Sequence, residues 1–248
     1  MNTNSNIYTV IYTSVVCVLV AAILAFVSQA LGPRQQANEK AETISQILTA
    51  ARFAEKAEWD SRGNDAVLSF YKENIDSAYT IDATGTCNGT LNVEDAEIVT
   101  VSGLKKQNYL IKDAAAAPAL PVYKFKNGVT VVPIYGAGLW GPVWGYIAFD
   151  KDLKTIVGAY FDHESETPGL GGKIKDDPSF RESFEDNQPD FSSENIFEIV
   201  KGGAPKGEDK KDLADNKIDA ITGATMTSKG LDEAINTWLN AYKPLLNR

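Results

Sequence analysis

From Ile7 to Leu31 the chain runs for 25 residues without a single Asp, Glu, Lys or Arg. At about 1.5 Å of rise per residue, a helix of that length crosses a hydrocarbon core of about 30 Å. Tyr8 and Tyr12 lie near one end, where amphipathic rings favour the membrane interface. The pattern predicts a retained transmembrane helix over 7–31, with 1–6 as a short tail. A cleaved signal peptide is the rival, with Ser28-Gln29-Ala30 as its cleavage site. It fits less well, because the segment before the run lacks a basic residue and the run is long for such a peptide.

Beyond the span the pattern becomes amphipathic. Residues 34–57 are rich in Gln, Ala, Glu and Lys, with Ile44, Ile47, Leu48 and Ala51 on one helical face. This predicts a stalk helix inside a stalk-and-linker region over 32–65. Asp60 to Asp65 reads as a turn, and Val67 to Lys72 is too short to assign. Between 79 and 113 the chain is polar and segmented, with Glu97 to Val101 as its best strand; Ala114 to Ala117, before Pro118, reads as a loop. The middle is β-rich. Pro121–Phe125 and Val129–Tyr135 flank Asn127-Gly128 and predict a hairpin. Val143–Phe149 and Leu153–Phe161 predict two more strands. After a charged loop over Lys201–Lys217, Leu231, Ala234, Ile235, Trp238, Leu239 and Tyr242 recur at helical spacing, closed by Pro244. Ser228 or Thr227 is the expected N-cap. Together these predict an α+β fold: one transmembrane helix, then a domain over 66–248 with a mainly antiparallel sheet and flanking helices.

Charge and cysteine usage narrow the function classes. The net charge of −9 lies wholly outside the apolar run and argues against nucleic acid as a partner. The two cysteines, Cys17 in the span and Cys87 beyond it, form no disulfide framework and no zinc or iron–sulfur cluster. A single histidine, His163, rules out a multi-histidine metal site within the chain. No metal site and no catalytic triad is expected.

Two glycine patterns are decoys. Gly136 to Gly141 fits G-x-G-x-x-G, but the strand-like Pro142–Phe149 follows where a dinucleotide site needs a helix N-terminus. Gly172-Lys173 is followed by Ile174 and lacks the upstream glycine of a P-loop.

Three other stretches carry the chemistry. Asp219-Ala220-Ile221-Thr222-Gly223-Ala224-Thr225 sets hydroxyls at the start of the last helix, where free N–H groups and the helix dipole favour a phosphate. The pattern D-x-x-T-G-A-T resembles the flavinylation motif of the FMN-binding domain family, and Thr225 matches the threonine that carries FMN. His163-Glu164-Ser165-Glu166-Thr167-Pro168-Gly169-Leu170-Gly171-Gly172 resembles the second signature of that family, with Ser165 as an apparent extra residue. The third stretch, Pro133 to Gly141 with its Gly-Leu-Trp, is similar to the family of C subunits of sodium-translocating NADH:quinone oxidoreductases.

The resemblance implies FMN held by a phosphoester to Thr225, added by a separate flavin transferase. It further implies Trp140 and Leu170 against the flavin ring, Glu166, Thr167 and Gly171 lining it, and Thr222, Gly223, Ala224 and Thr227 around the phosphate. The implied role is electron carriage from NADH-derived donors towards quinone, coupled to sodium export. The implied partners are iron–sulfur subunits and a second flavin-bearing subunit. A subunit of this kind is not catalytic alone. The alternatives are the equivalent flavoprotein of the ferredoxin:NAD oxidoreductase complex and a non-redox membrane-tethered binding or assembly module. The family resemblance implies a bacterial inner-membrane protein with a periplasmic FMN-binding domain; Arg34 and Lys40, just after the span, lean the other way by the positive-inside rule.

Overall fold

The computed structural model of the chain describes residues 6–113, 116–202 and 216–247. The expected tail over 1–6 lies almost wholly outside them, as do residues 203–215 of the charged loop and 114–115 of the alanine run. The first helix, α1 (Asn6–Ala50), contains the apolar run, and it is the one helix among the described residues long and apolar enough to cross a membrane. Residues 1–40 and 41–248 form separate compact units.

The second unit is built on a six-stranded antiparallel sheet of order β2-β1-β3-β4-β5-β6. Its strands are β1 (Ile75–Ile81), β2 (Cys87–Thr90), β3 (Leu120–Phe125), β4 (Thr130–Ala137), β5 (Pro142–Phe149) and β6 (Ile156–His163). Helices cover both faces, so the central strands read as near-continuous apolar runs rather than alternating ones. On one face Val132, Ile134, Ile147 and Phe161 pack with Leu231, Ile235, Trp238 and Leu239 of the last helix, α7 (Thr225–Leu246). On the other, Tyr123, Val131, Tyr146 and Tyr160 pack with Ile44, Ile47 and Leu48 of α1, and with Trp59, Val67 and Tyr71 from α2 (Lys56–Arg62) and α3 (Asn64–Asn74).

The hairpin at Asn127-Gly128 is present. Gly128 takes φ 94° and donates its N–H to the Phe125 carbonyl at 2.9 Å, while Phe125 pairs with Val129. This is a turn followed by a glycine bulge, which explains why glycine stands at 128.

Several local expectations differ from the structure. Residues 41–50, expected in a stalk, are core: Ala41 and every residue from Thr43 to Ala50 are buried. Thr43, Ser45, Gln46 and Thr49 give this stretch the look of a solvated surface, yet three of them satisfy their polar atoms by hydrogen bonding, Ser45 and Thr49 to helix carbonyls and Gln46 to Asp162. The expected turn at 60–65 is the end of α2 and the start of α3, joined by Gly63 at φ 79°. The expected strand at Glu97–Val101 is absent. That segment instead leads into α4 (Val101–Lys112), and the Val99 N–H is taken by the Tyr123 hydroxyl at 3.0 Å. Pro244 lies within the last turn of α7 and does not end it.

Two short helices, α5 (Lys173–Asp176) and α6 (Pro178–Glu182), follow β6. A two-stranded parallel sheet, β7 (Glu198–Val200) with β8 (Lys217–Asp219), then delivers the chain to α7.

Candidate functional site: three loops held by one buried carboxylate

At one end of the sheet three connections meet. The first is the turn 138–141 between β4 and β5, closed by the Gly138 N–H on the Gly141 carbonyl at 2.8 Å. The second is the loop 164–172 after β6, and the third is the turn 220–224 before α7. Sheet register places the first two together, since Ala137 faces Pro142 and Val143 faces His163. Helix α7 reaches the same place because Gly230 lies against the backbone of Ala137, where a Cβ would come within 2.0 Å of the carbonyl oxygen.

Glu166 joins all three. Its side chain is buried, and its two oxygens take separate donors: the Trp140 N–H at 3.0 Å and the Thr227 hydroxyl at 2.7 Å. Glycines make room for the carboxylate. A Cβ on Gly138 would fall 2.3 Å from one carboxylate oxygen, and one on Gly171 would fall 2.3 Å from the other and 2.6 Å from the Thr227 Oγ1. Burying a carboxylate is costly unless its oxygens are bonded; here both are. The Glu166 N–H donates to Nδ1 of His163 at 3.1 Å, so His163 organises the loop backbone. The Ser165 hydroxyl donates to the Trp140 carbonyl at 2.8 Å, so this apparent extra residue and Glu166 hold the two peptide groups on either side of the Trp140 Cα.

Thr225 is the first residue of α7, and it is exposed. The expected caps, Ser228 and Thr227, are not caps. Both are buried within the first turn of a helix that starts earlier than the hydroxyl spacing suggests. Gly223, at φ 83°, turns the chain into Ala224, whose carbonyl accepts the Ser228 N–H at 2.9 Å. The Ser228 hydroxyl accepts the Ile221 N–H at 3.2 Å and so pins the turn to the helix. Thr227 bonds Glu166, leaving Thr225 as the outward hydroxyl of the first turn beside the helix's unpaired N–H groups.

The remaining predicted residues divide. Leu170 lies beside Gly223, where a Cβ would sit 3.0 Å from a leucine methyl. Thr167 contributes its carbonyl, which accepts the N–H groups of Leu170 and Gly172. Thr222 is exposed on the turn, whereas Ala224 is packed into the core. Trp140 is 66% exposed, Leu170 44%, and two residues that sequence reasoning missed, Leu139 and Met226, are 51% and 57% exposed. Outside α1, the large apolar side chains that are exposed among the described residues are these four and Tyr109. Exposed apolar groups concentrated around glycine-lined loops and a helix N-terminus suit a flat aromatic ligand with an anionic tail. The signal for Leu139 lay inside the Gly-Leu-Trp stretch, and Met226 directly follows the D-x-x-T-G-A-T pattern, each an apolar residue among small or polar neighbours.

This geometry falls within a recognisable class: residues 138–240 match the FMN-binding domain family. Along nearly its full length the chain is similar to proteins named as C subunits of the Na(+)-translocating NADH-quinone reductase. It is 26% identical to that of Chlamydia muridarum, over 96% of this chain and 91% of the relative. It is 28% identical to that of Pseudomonas aeruginosa, over 96% and 93%. The crystal structure of the C subunit from Parabacteroides distasonis superposes with a TM-score of 0.66 at 28% identity, covering 88% of this chain and 98% of that one. The chain is thus similar along nearly its whole length to these C subunits, and within it residues 138–240 match the FMN-binding domain family.

Proposed function

We propose that the chain holds FMN through a phosphoester to Thr225 and carries electrons within a membrane respiratory complex, from NADH-derived donors towards quinone, in a process coupled to sodium export. The observation that carries the attachment is the exposed Thr225 hydroxyl at the first position of α7, next to loops fixed by Glu166. The names of the relatives support the respiratory role.

When bound, FMN supplies redox chemistry that no side chain here provides. The chain's own residues hold and orient it. Thr225 provides the ester oxygen, with Thr222, Gly223, Ala224 and Thr227 shaping the turn around the phosphate. Trp140 and Leu170 offer apolar surface to the ring, joined by Leu139 and Met226. Glu166, Thr167 and Gly171 would shape the loop that lines it. A covalent tether would also keep the cofactor from being lost to the outer compartment.

The segment 7–31 anchors the protein in the bacterial inner membrane. We infer a periplasmic position for the FMN-binding domain from the resemblance of the flavinylation motif, against the lean of the two cations, Arg34 and Lys40. The partners are iron–sulfur and second flavin-bearing subunits of the complex, with a flavin transferase for maturation.

The test is in-gel flavin fluorescence after denaturation, on full-length protein coexpressed with a flavin transferase. A fluorescent band in the wild type that disappears in Thr225→Ala supports the reading. A dark wild type, with the transferase active on a control substrate, overturns it in favour of a tethered binding or assembly module.

A further inference from the structure

Asp162 is the penultimate residue of β6, just before the 164–172 loop, and only 4% of it is exposed. Its carboxylate takes three donors: Nε2 of Gln46 at 2.9 Å, the backbone N–H of His163 at 2.8 Å and Nζ of Lys175 at 2.9 Å. These come from the buried end of α1, from the base of the loop and from α5 just beyond the loop's far end. Gln46 is itself fully used. Its Nε2 also donates to Glu42 at 3.1 Å, and its Oε1 accepts from the Trp144 indole N–H at 3.2 Å. Trp144 is the cross-strand neighbour of Asp162 in the sheet register.

A buried carboxylate is tolerated when its charge is balanced and its lone pairs are filled, and a network satisfied this completely is stiff. Lys175 and Asp162 lie 13 residues apart, so their ion pair joins the two ends of the glycine-rich loop. Within it, the Thr167 carbonyl already gathers the N–H groups of Leu170 and Gly172. The loop is thus clamped at its base by Asp162 and in its middle by Glu166, which bonds Trp140 and Thr227.

We propose that Asp162 is a positioning residue for the flavin: by clasping both ends of the 164–172 loop and tying them to Gln46, it fixes where Leu170 and Gly171 present themselves to the ring. The proposal rests on the FMN reading above. It assigns separate tasks, attachment to α7 through Thr225 and ring placement to the loop that Asp162 holds.

The test compares full-length wild type, Asp162→Asn and Lys175→Met, each coexpressed with a flavin transferase. Lys175→Met is the variant expected to fold in any case, because 40% of the lysine side chain is exposed. Three quantities are read: covalently bound flavin, its midpoint potential, and hydrogen exchange at the amides of Leu170 and Gly172, both bonded to the Thr167 carbonyl. Both variants should carry as much flavin as the wild type. Exchange in the loop should rise about tenfold, the factor expected for losing a charge-assisted hydrogen bond. The flavin potential should shift in both, while exchange in α7 stays unchanged. A merely structural Asp162 would lower the melting temperature and leave the potential and the loop exchange of the folded variants at wild-type values, which would overturn the proposal. A wild type without bound flavin overturns the FMN reading and this proposal with it.

Discussion

The hydroxyl of Thr227 donates to the carboxylate of Glu166 across 2.7 Å, joining residues 61 positions apart in the chain. Through this bond the first turn of α7, where Thr225 sits, is locked to the glycine-rich loop. The same carboxylate holds the Trp140 N–H at 3.0 Å. One side chain therefore makes a single site out of three loops.

Glu166→Gln should be tolerated and Glu166→Ala should not. Glutamine keeps an acceptor for the Trp140 N–H, and the Thr227 hydroxyl can rotate to accept from the new amide. Alanine leaves the buried Thr227 hydroxyl without a partner, at a cost of about 1–3 kcal/mol for such a group, and frees the part-buried Trp140 N–H as well. Urea unfolding should show the alanine variant well below the glutamine variant, and equal losses would contradict the assigned bonds.

Gly230→Ala should reverse the usual sign. In an exposed helix interior, alanine is favoured over glycine by about 1 kcal/mol. At Gly230 the new methyl would meet the Ala137 carbonyl oxygen at 2.0 Å, which is backbone and cannot swing aside. The expected loss of stability is about 1–3 kcal/mol, read by denaturant unfolding. Covalent flavin should fall with it, because the contact sets where α7 begins relative to the sheet.

The three motif stretches were legible one by one; their meeting was not. The hairpin at Asn127-Gly128, β5, β6 and the apolar face of α7 follow directly from the hydrophobic pattern. What the pattern hid were places where tertiary contacts overrule local signals. The end of α1 carries Thr43, Ser45, Gln46 and Thr49, polar residues that mimic a solvated stalk but are buried in the core. Strand β1, with Asp76 and Ser77 in its first half, looks too polar for a strand until its pairing with β3 is seen. Glu97–Val101 has β-branched residues, yet the Glu97 N–H goes to the Asn92 carbonyl and the Val99 N–H to the Tyr123 hydroxyl before α4 begins. The hydroxyl cluster suggested a cap at Ser228 or Thr227, whereas those hydroxyls serve Ile221 and Glu166.

The buried end of α1 makes a truncation prediction. Ile44, Ile47 and Leu48 are each fully buried, and burying such a side chain is worth about 2 kcal/mol. Removing residues 1–33 should leave a folded, cooperative domain. Removing residues 1–50 should lose most of the about 5–15 kcal/mol typical of a domain. Circular dichroism melts of the two fragments check this, and equal melts would place residues 41–50 outside the core.

Asp232→Asn should stabilise the protein at neutral pH. Burial, with help from Glu198 and Glu233, raises the Asp232 carboxyl above its usual 3.8, outweighing the N–H that Ile199 donates to it. The folded state thus holds this proton more tightly than the unfolded state, so the charged form weakens the fold above the raised value, and the penalty is relieved as pH falls through it. Asparagine keeps the acceptor for Ile199 without the charge. The urea midpoint of Asp232→Asn should exceed that of the wild type at pH 7, with the gap closing as pH falls towards 3.8. A gap that widens on acidification would contradict the assignment.

Thr225, rather than a neighbouring hydroxyl, is the proposed carrier of the flavin. Trypsin cuts after Lys217 and Lys229, releasing the peptide 218–229 with Thr222, Thr225, Thr227 and Ser228 together. Tandem mass spectrometry of that peptide, from protein coexpressed with a flavin transferase, locates the modification. The expected result is the mass of FMN less one water on Thr225, with Thr222, Thr227 and Ser228 unmodified. The same mass on Thr227, whose hydroxyl is buried against Glu166, or an unmodified peptide beside a flavinylated control protein, would contradict it.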